Sequence, residues 1–363
     1  MMLTMKIPRL SYRENFLRAV TFNFPEYIPC RIAISWPVWN IYRDKLKKLV
    51  QEYPLLFPGL QPGTITYDEK PSIIRCTEIK TDPFGCTWRF SIKGLQGIVV
   101  RHPLDDWSKL KDYQLPDPEE GLPVEGSANL IPWERVYESM DKARERGDLV
   151  VAGMPHGFFF QRLYYLRGFV NLMIDFIKKP PQLYELIDML TEYNLELVKR
   201  LLKFNKVDVV SFGDDLGCQN GMPISPKIFK EFIFPTYKRI FSFVRSKGVH
   251  VRLHSDGCVV EVLDQLVRTG LTILNIQDLV NGLDNIAREC KGKVCVDLDI
   301  DRQRIIPYGT AKEVKEHIRR STNVLASRKG GLMFIVGIYP PTPIENIKAL
   351  CEAFEEVMWF NKS

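Results

Sequence analysis

Short runs of Val, Ile and Leu alternate along the chain with longer amphipathic stretches, and polar residues mark the points of change. Leu149 to Met154, Val207 to Phe212, Val249 to Leu253, Leu271 to Ile276, Val294 to Leu298 and Leu332 to Val336 read as strands, with an earlier one at Ile28 to Ile34. Helical spacing follows each later strand: Arg162 to Ile177 and Gln182 to Phe204 after the first, Pro226 to Lys247 after the second, Cys258 to Thr269 after the third. Apolar strands separated by crossover helices belong to a parallel sheet covered on both faces. The expected fold class is α/β, a (β/α)8 TIM-type barrel. A doubly wound open sheet is the rival. However, no GxGxxG follows any strand, and polar strand ends are spread over nearly every unit, which suits a barrel mouth better than one crevice.

Residues 59–130 break this rhythm. The segment is rich in Gly and Pro, and Ile73 to Ile79, Thr87 to Ile92 and Gly97 to Val100 resemble short antiparallel strands joined by turns. The pattern predicts one domain over 1–363, with 59–130 as a cap-like insertion lying over the mouth.

Composition narrows the class. The 363 residues are 45% hydrophobic and 26% charged, enough for a sizeable core. The net charge of +6 is dispersed among acids without a basic block, so nucleic acid is not an expected partner. Neither a signal peptide nor an apolar run near the roughly 20 residues needed to span a bilayer is present, so no membrane association is expected. The eight cysteines show no CxxC pair or scaffold spacing, which predicts reduced thiols in a cytoplasmic protein.

Chemistry collects at the strand ends. These carry His156, Asp214 and Asp215, His254 and Asp256, Asn275, Gln277 and Asp278, Asp297, Asp299 and Asp301, and Tyr339. A barrel makes such distant positions neighbours around one opening. Imidazoles among carboxylates can bind a metal or run proton transfer. Simpler roles exist for each: His254 as a packed strand-end residue, Asp256 as a helix cap, and Asp214 and Asp215 as turn residues. Their coincidence on one rim favours the functional reading. The run Gly157-Phe158-Phe159-Phe160-Gln161-Arg162-Leu163-Tyr164-Tyr165 follows a strand end directly. Part of it is expected to overhang the opening, with Phe158 and Phe159 as walls of an apolar slot for an aromatic or larger planar ligand.

Several of these stretches resemble the uroporphyrinogen decarboxylase-like superfamily. They are Phe212-Gly-Asp-Asp-Leu-Gly, Ile224-Ser-Pro-Lys-Ile-Phe, His254-Ser-Asp-Gly, Gly309-Thr-Ala-Lys-Glu-Val and Gly337-Ile-Tyr-Pro-Pro-Thr-Pro-Ile-Glu-Asn-Ile, with Thr81-Asp-Pro-Phe-Gly-Cys-Thr-Trp and Pro25-Glu-Tyr-Ile-Pro nearer the start. The resemblance implies a (β/α) barrel and either decarboxylation or corrinoid-dependent methyl transfer. The arginine-rich segment with which decarboxylases hold substrate carboxylates is missing, and their late histidine falls at Val336. Methyltransferases that use thiol acceptors hold zinc with His-x-Cys and a later Cys. Here those cysteine positions are Asp256 and Val336, and His254 alone remains.

The resemblance thus implies a methyltransferase that moves a methyl group from a small methylated donor, a methoxylated aromatic compound first, to the Co(I) corrinoid of a separate partner protein. No DxHxxG corrinoid signature occurs in the chain. The expected catalytic residues are His254, Asp256, Asp214 and Asp215. The expected substrate-binding residues are His156, Phe158, Phe159, Asn275 and Tyr339. Zinc is an optional cofactor on His254 and Asp256, and a homodimer is one open assembly. Two alternatives stand beside this: a decarboxylase-type lyase for a small acid, which requires arginines such as Arg162, Arg167 or Arg252 to point inward, and a non-catalytic aromatic- or corrinoid-binding protein.

Overall fold

A computed structural model describes residues 8–67, 78–91 and 97–360. They divide into two compact units, one built from 8–67 with 273–360 and the other from 78–272. All seven parallel strands that the apolar runs predict are present.

In the first unit, Cys30–Ile34 pairs in parallel with Leu332–Ile338, which pairs with Cys295–Asp299, which pairs with Ile273–Gln277. The last three are buried along nearly their whole length, including the polar Asn275, Asp297 and Asp299. Helix Ala311–Leu325 starts at a capping box in which Thr310 and Glu313 satisfy one another's backbone N–H groups. Its apolar face buries Val314, Ile318 and Leu325 at helical spacing. Each such fully buried leucine or isoleucine contributes about 1.5–3 kcal/mol.

In the second unit, Val151–His156, Val209–Gly213 and His250–Ser255 form the parallel ladder. Helix Pro181–Leu201 buries Leu183, Leu186, Leu190, Leu197 and Leu201 along one stripe. Glu78–Thr81, Thr87–Phe90 and Ile98–Arg101 form the antiparallel meander expected from the turn-rich segment. Residues 73–77 and 92 of those expected strands lie outside the described residues.

Two helices differ from the pattern. Arg162 to Ile177 is not one helix but two, Phe160–Arg167 and Phe169–Lys178, because Gly168 between them takes φ 86°. A β-carbon at Gly168 would also stand 3.3 Å from the His102 ring. After Gly257, Cys258 pairs with Cys218 through a 2.8 Å backbone bond, so the continuous helix begins only at Leu263. Every cysteine among the described residues is a free thiol, and no described helix is long and apolar enough to cross a membrane.

Candidate active site

Three neighbouring strand ends build the site. Parallel register places His156 beside Gly213 and Gly213 beside His254, so one glycine separates two histidines across the ladder. A shift in register between Gly153 and His156 brings His156 into that row. On the third strand, burial alternates so that His250, Arg252 and His254 share a half-buried face while Val251, Leu253 and Ser255 are buried. The imidazoles lean together over Gly213, with ring centroids 5.8 Å apart. Glycine is required between them: a β-carbon there would meet His156 Cδ2 at 2.5 Å.

Asp215, two residues beyond Gly213, joins the pair. Its Oδ1 stands 3.5 Å from His156 Nε2 and 3.6 Å from His254 Nε2, and it accepts the backbone N–H of Asp256 at 2.9 Å. Asp256 Oδ1 lies 3.5 Å from His254 Nε2. His156, Asp215, His254 and Asp256 are therefore brought together as the sequence predicts.

Glu125, which has no sequence signal, and two residues of the run after Gly157 complete the cluster. Glu125, in the turn between the short paired strands Leu122–Pro123 and Leu130–Ile131, places Oε2 3.3 Å from His156 Nδ1. Tyr165 donates its O–H to Glu125 Oε1 at 2.7 Å, and Gln161 Nε2 donates to the Tyr165 oxygen at 3.0 Å and to Asp215 Oδ2 at 3.3 Å. Gln161 Oε1 in turn accepts the Asp215 backbone N–H at 2.8 Å. His156, Glu125, Tyr165, Gln161 and Asp215 thus close a ring of polar contacts. Gln161 and Tyr165 sit four apart on one helix face, the only local hint of their partnership.

The electrostatics favour positive charge at His156. Burial works against an imidazolium, but Asp215 and Glu125 outweigh it and push the His156 pKa up to about 10. Burial likewise opposes charge on Asp215 and Glu125, yet His156 holds both below their ordinary carboxylate values. Burial and the Glu125 charge keep Tyr165 far above its usual range, so its O–H persists as a donor.

Other predicted residues serve differently. Asp214, expected to act in catalysis, is fully buried and accepts hydrogen bonds from the backbone N–H groups of Phe160 and Gln161 at 2.6 and 2.9 Å and from Tyr237 O–H at 2.7 Å. Burial raises its pKa to about 6. It anchors the start of the Phe160–Arg167 helix, and its neighbour Asp215 faces the histidines.

Phe158 and Phe159, expected as slot walls, are buried packing residues. Phe158 stacks on Tyr237 at 5.2 Å and packs against Phe212 at 5.0 Å, and Phe159 meets Tyr237 at 6.3 Å. Gly157, at φ 65°, lets the chain turn between the strand and these rings. Asn275 and Tyr339 belong to the first unit. Asn275 is buried with its amide donated to the Asp297 carbonyl at 2.6 Å, and Tyr339 is 40% exposed beneath the Arg302 guanidinium at 5.9 Å. In the same unit, Asp278 pairs with His317, and Asp301 caps the backbone of Arg304 and Ile305.

Comparison with known proteins gives a consistent family. The uroporphyrinogen decarboxylase (URO-D) family matches residues 74–357. The chain is 22% identical over 341 residues to uroporphyrinogen decarboxylase of Prochlorococcus marinus (strain MIT 9312), covering 87% of this chain and 92% of that protein. It is 23% identical over 341 residues to the methylcobamide:CoM methyltransferase MtaA of Methanosarcina barkeri, covering 90% and 88%. Among solved structures, a methyltransferase from Methanosarcina mazei superposes with TM-score 0.66 at 18% identity, over 95% of this chain and 98% of that one. That likeness shows the fold class: α/β, of the TIM-barrel type.

Proposed function

The chain belongs to the uroporphyrinogen decarboxylase (URO-D) family, and from that premise we propose that it is a corrinoid-dependent methyltransferase that removes the methyl group from a small methylated donor, a methoxylated aromatic compound first. The observation that carries this reading is the cluster of His156, Asp215 and His254, in which carboxylates hold positive charge beside an open strand end.

Cleaving a methyl ether leaves the bonding pair on oxygen, so the enzyme must neutralise charge at that atom as it develops. Asp215 and Glu125 keep a positive centre at His156 for that purpose, whether a proton or a metal ion occupies the spot. Were a metal bound there, it would act as a Lewis acid toward the leaving oxygen. Asp256 N–H fixes the Asp215 carboxylate, and the Tyr165–Gln161 chain fixes its other oxygen and Glu125. The corrinoid, carried by a partner protein, supplies the nucleophilic methyl acceptor when it docks.

The donor class follows from the leaving group. A phenolic oxygen has a pKa of roughly 10, like that of tyrosine, and leaves far more readily than an alkoxide. Positive charge held at His156 by Asp215 and Glu125 suits such an oxygen as it develops negative charge. With Phe158 and Phe159 buried, the aromatic preference rests on the acidity of the leaving group. A thiol acceptor is disfavoured because the relatives' zinc-holding cysteines are replaced by Asp256 and by Val336, which is buried in its strand.

A decarboxylase for a small acid would need free arginines. Arg162 is tied to Asp82 at 3.2 Å and stacked on Phe84 at 3.8 Å. Arg167 bonds Asp175 at 2.7 Å and also binds the carbonyls of Leu104 and Asp105. Of the three candidates, Arg252 shares the strand face of His254, with Nη1 3.4 Å from Ser211 Oγ.

The test mixes the enzyme with a Co(I) corrinoid protein and a donor panel of methoxylated aromatics, methanol and methylamines, following corrinoid absorbance. Methyl transfer from the aromatic ethers supports the proposal. Silence across the whole panel overturns it, and transfer from methylamines alone overturns the donor class.

A further inference from the structure

We propose that His156, Asp215 and His254 form a three-ligand site for a divalent transition metal, with zinc the best match. The argument begins with spacing. Around a tetrahedral zinc ion with bonds of 2.0–2.1 Å, neighbouring ligand atoms stand about 3.4 Å apart. Asp215 Oδ1 lies 3.5 Å from one imidazole Nε2 and 3.6 Å from the other. The three ligand atoms all fall within 4.8 Å of one another. Two imidazole nitrogens and a carboxylate oxygen form a donor set suited to zinc and its borderline neighbours.

The surroundings orient these donors as a metal site requires. A ligating histidine presents one ring nitrogen to the ion and its other N–H to a carboxylate. His156 places its nitrogens in that order, with Nε2 toward Asp215 and Nδ1 3.3 Å from Glu125 Oε2, a distance at which the buried Nδ1 makes no hydrogen bond. Tyr165 fixes Glu125, and Gln161 holds the outer oxygen of Asp215. All three ligands are partly accessible, their side chains 20–31% exposed, so an ion has a route in from solvent. Three protein ligands leave a fourth position open, the arrangement of catalytic rather than structural zinc.

This set differs from the pair His254 and Asp256 suggested by the sequence, and from the His-x-Cys arrangement of thiol-activating relatives. Asp256 approaches His254 but stands outside the three mutually close donors. The inference does not depend on methyl transfer, since metal binding is measured with neither donor nor corrinoid present.

The experiment strips the protein with a chelator, titrates Zn2+ by calorimetry, and repeats the titration with Co2+ while recording the visible spectrum. The expected result is one equivalent bound at micromolar Kd or tighter, with an intense low-symmetry Co2+ band. His156→Gln, Asp215→Asn and His254→Gln should each weaken affinity at least 100-fold, while Asp256→Asn stays within about threefold. Thermal melts with and without Zn2+ accompany each variant, so that loss of the fold is distinguished from loss of the ligand. Substoichiometric binding to folded parent protein overturns the proposal. So does unchanged affinity in folded His156→Gln, or a loss in Asp256→Asn as large as that in Asp215→Asn.

Discussion

Two imidazole–carboxylate contacts in this chain look alike in chemistry and differ in every other respect. In the first unit, His317 Nε2 meets Asp278 Oδ2 at 2.5 Å, with side chains 8% and 0% exposed. The other Asp278 oxygen takes the Leu279 N–H at 2.6 Å, so the pair is sealed and locally satisfied. In the second unit, His156 and His254 share one oxygen of Asp215, Glu125 stands behind His156, and solvent reaches the group. One imidazole with one carboxylate, dry, holds elements together. Two imidazoles among several carboxylates, partly wet, have the donors and the access that a cation needs. Stoichiometry and exposure separate the sealed pair from the candidate site where residue type does not.

The comparison breaks first, and hardest, at the sealed pair. Leaving one partner of a buried side-chain hydrogen bond unsatisfied costs up to about 3 kcal/mol. His317→Ala should show that loss in urea unfolding while the folded fraction retains its turnover rate. A full-rate, fully stable variant would make the pair idle. Next, His254→Ala should lower methyl transfer by about 10²–10³-fold, the cost of losing one charge-stabilising group, with little change in urea midpoint. A stability loss matching that of His317→Ala would instead make His254 a packing residue. Gly213→Ala should cost about 10²-fold in rate, because its β-carbon pushes the His156 ring out of line. Equal rates would mean that the row of three strand ends does not set the geometry.

The gentlest test is pH. In metal-free protein, His156 has a folded pKa of about 10, above its ordinary 6.5. The folded state therefore binds that proton more tightly. The stability it contributes is complete below about 6.5 and lost as pH rises toward about 10. His156→Gln should flatten that part of the urea-stability profile, and a slope unchanged by the substitution would assign the proton elsewhere.

Strand positions were legible because buried parallel strands are written as continuous apolar runs, and strand ends were legible because polarity resumes there. His156, Asp215, His254 and Asp256 follow from that rule alone. Asp214 and Asp215 are not distinguishable by sequence, since adjacent residues in a turn face different ways and the packing around them decides that Asp214 is the buried one. Phe158 and Phe159 misled for a similar reason: the direction of a ring after a strand depends on the φ 65° turn at Gly157, which periodicity does not encode. Glu125 carried no signal because its partner His156 is remote in sequence and its turn has no period. The break at Gly168 was visible only as an isolated glycine in an otherwise helical pattern.

The row His156, Gly213, His254 ties the site's spacing to the sheet itself. Backbone hydrogen bonding keeps adjacent strands about 4.8 Å apart whatever the loops beyond them do. Separation of the two imidazoles is therefore governed by a ruler that insertions and deletions cannot stretch. The connecting segments can change in length or composition without moving the two rings apart.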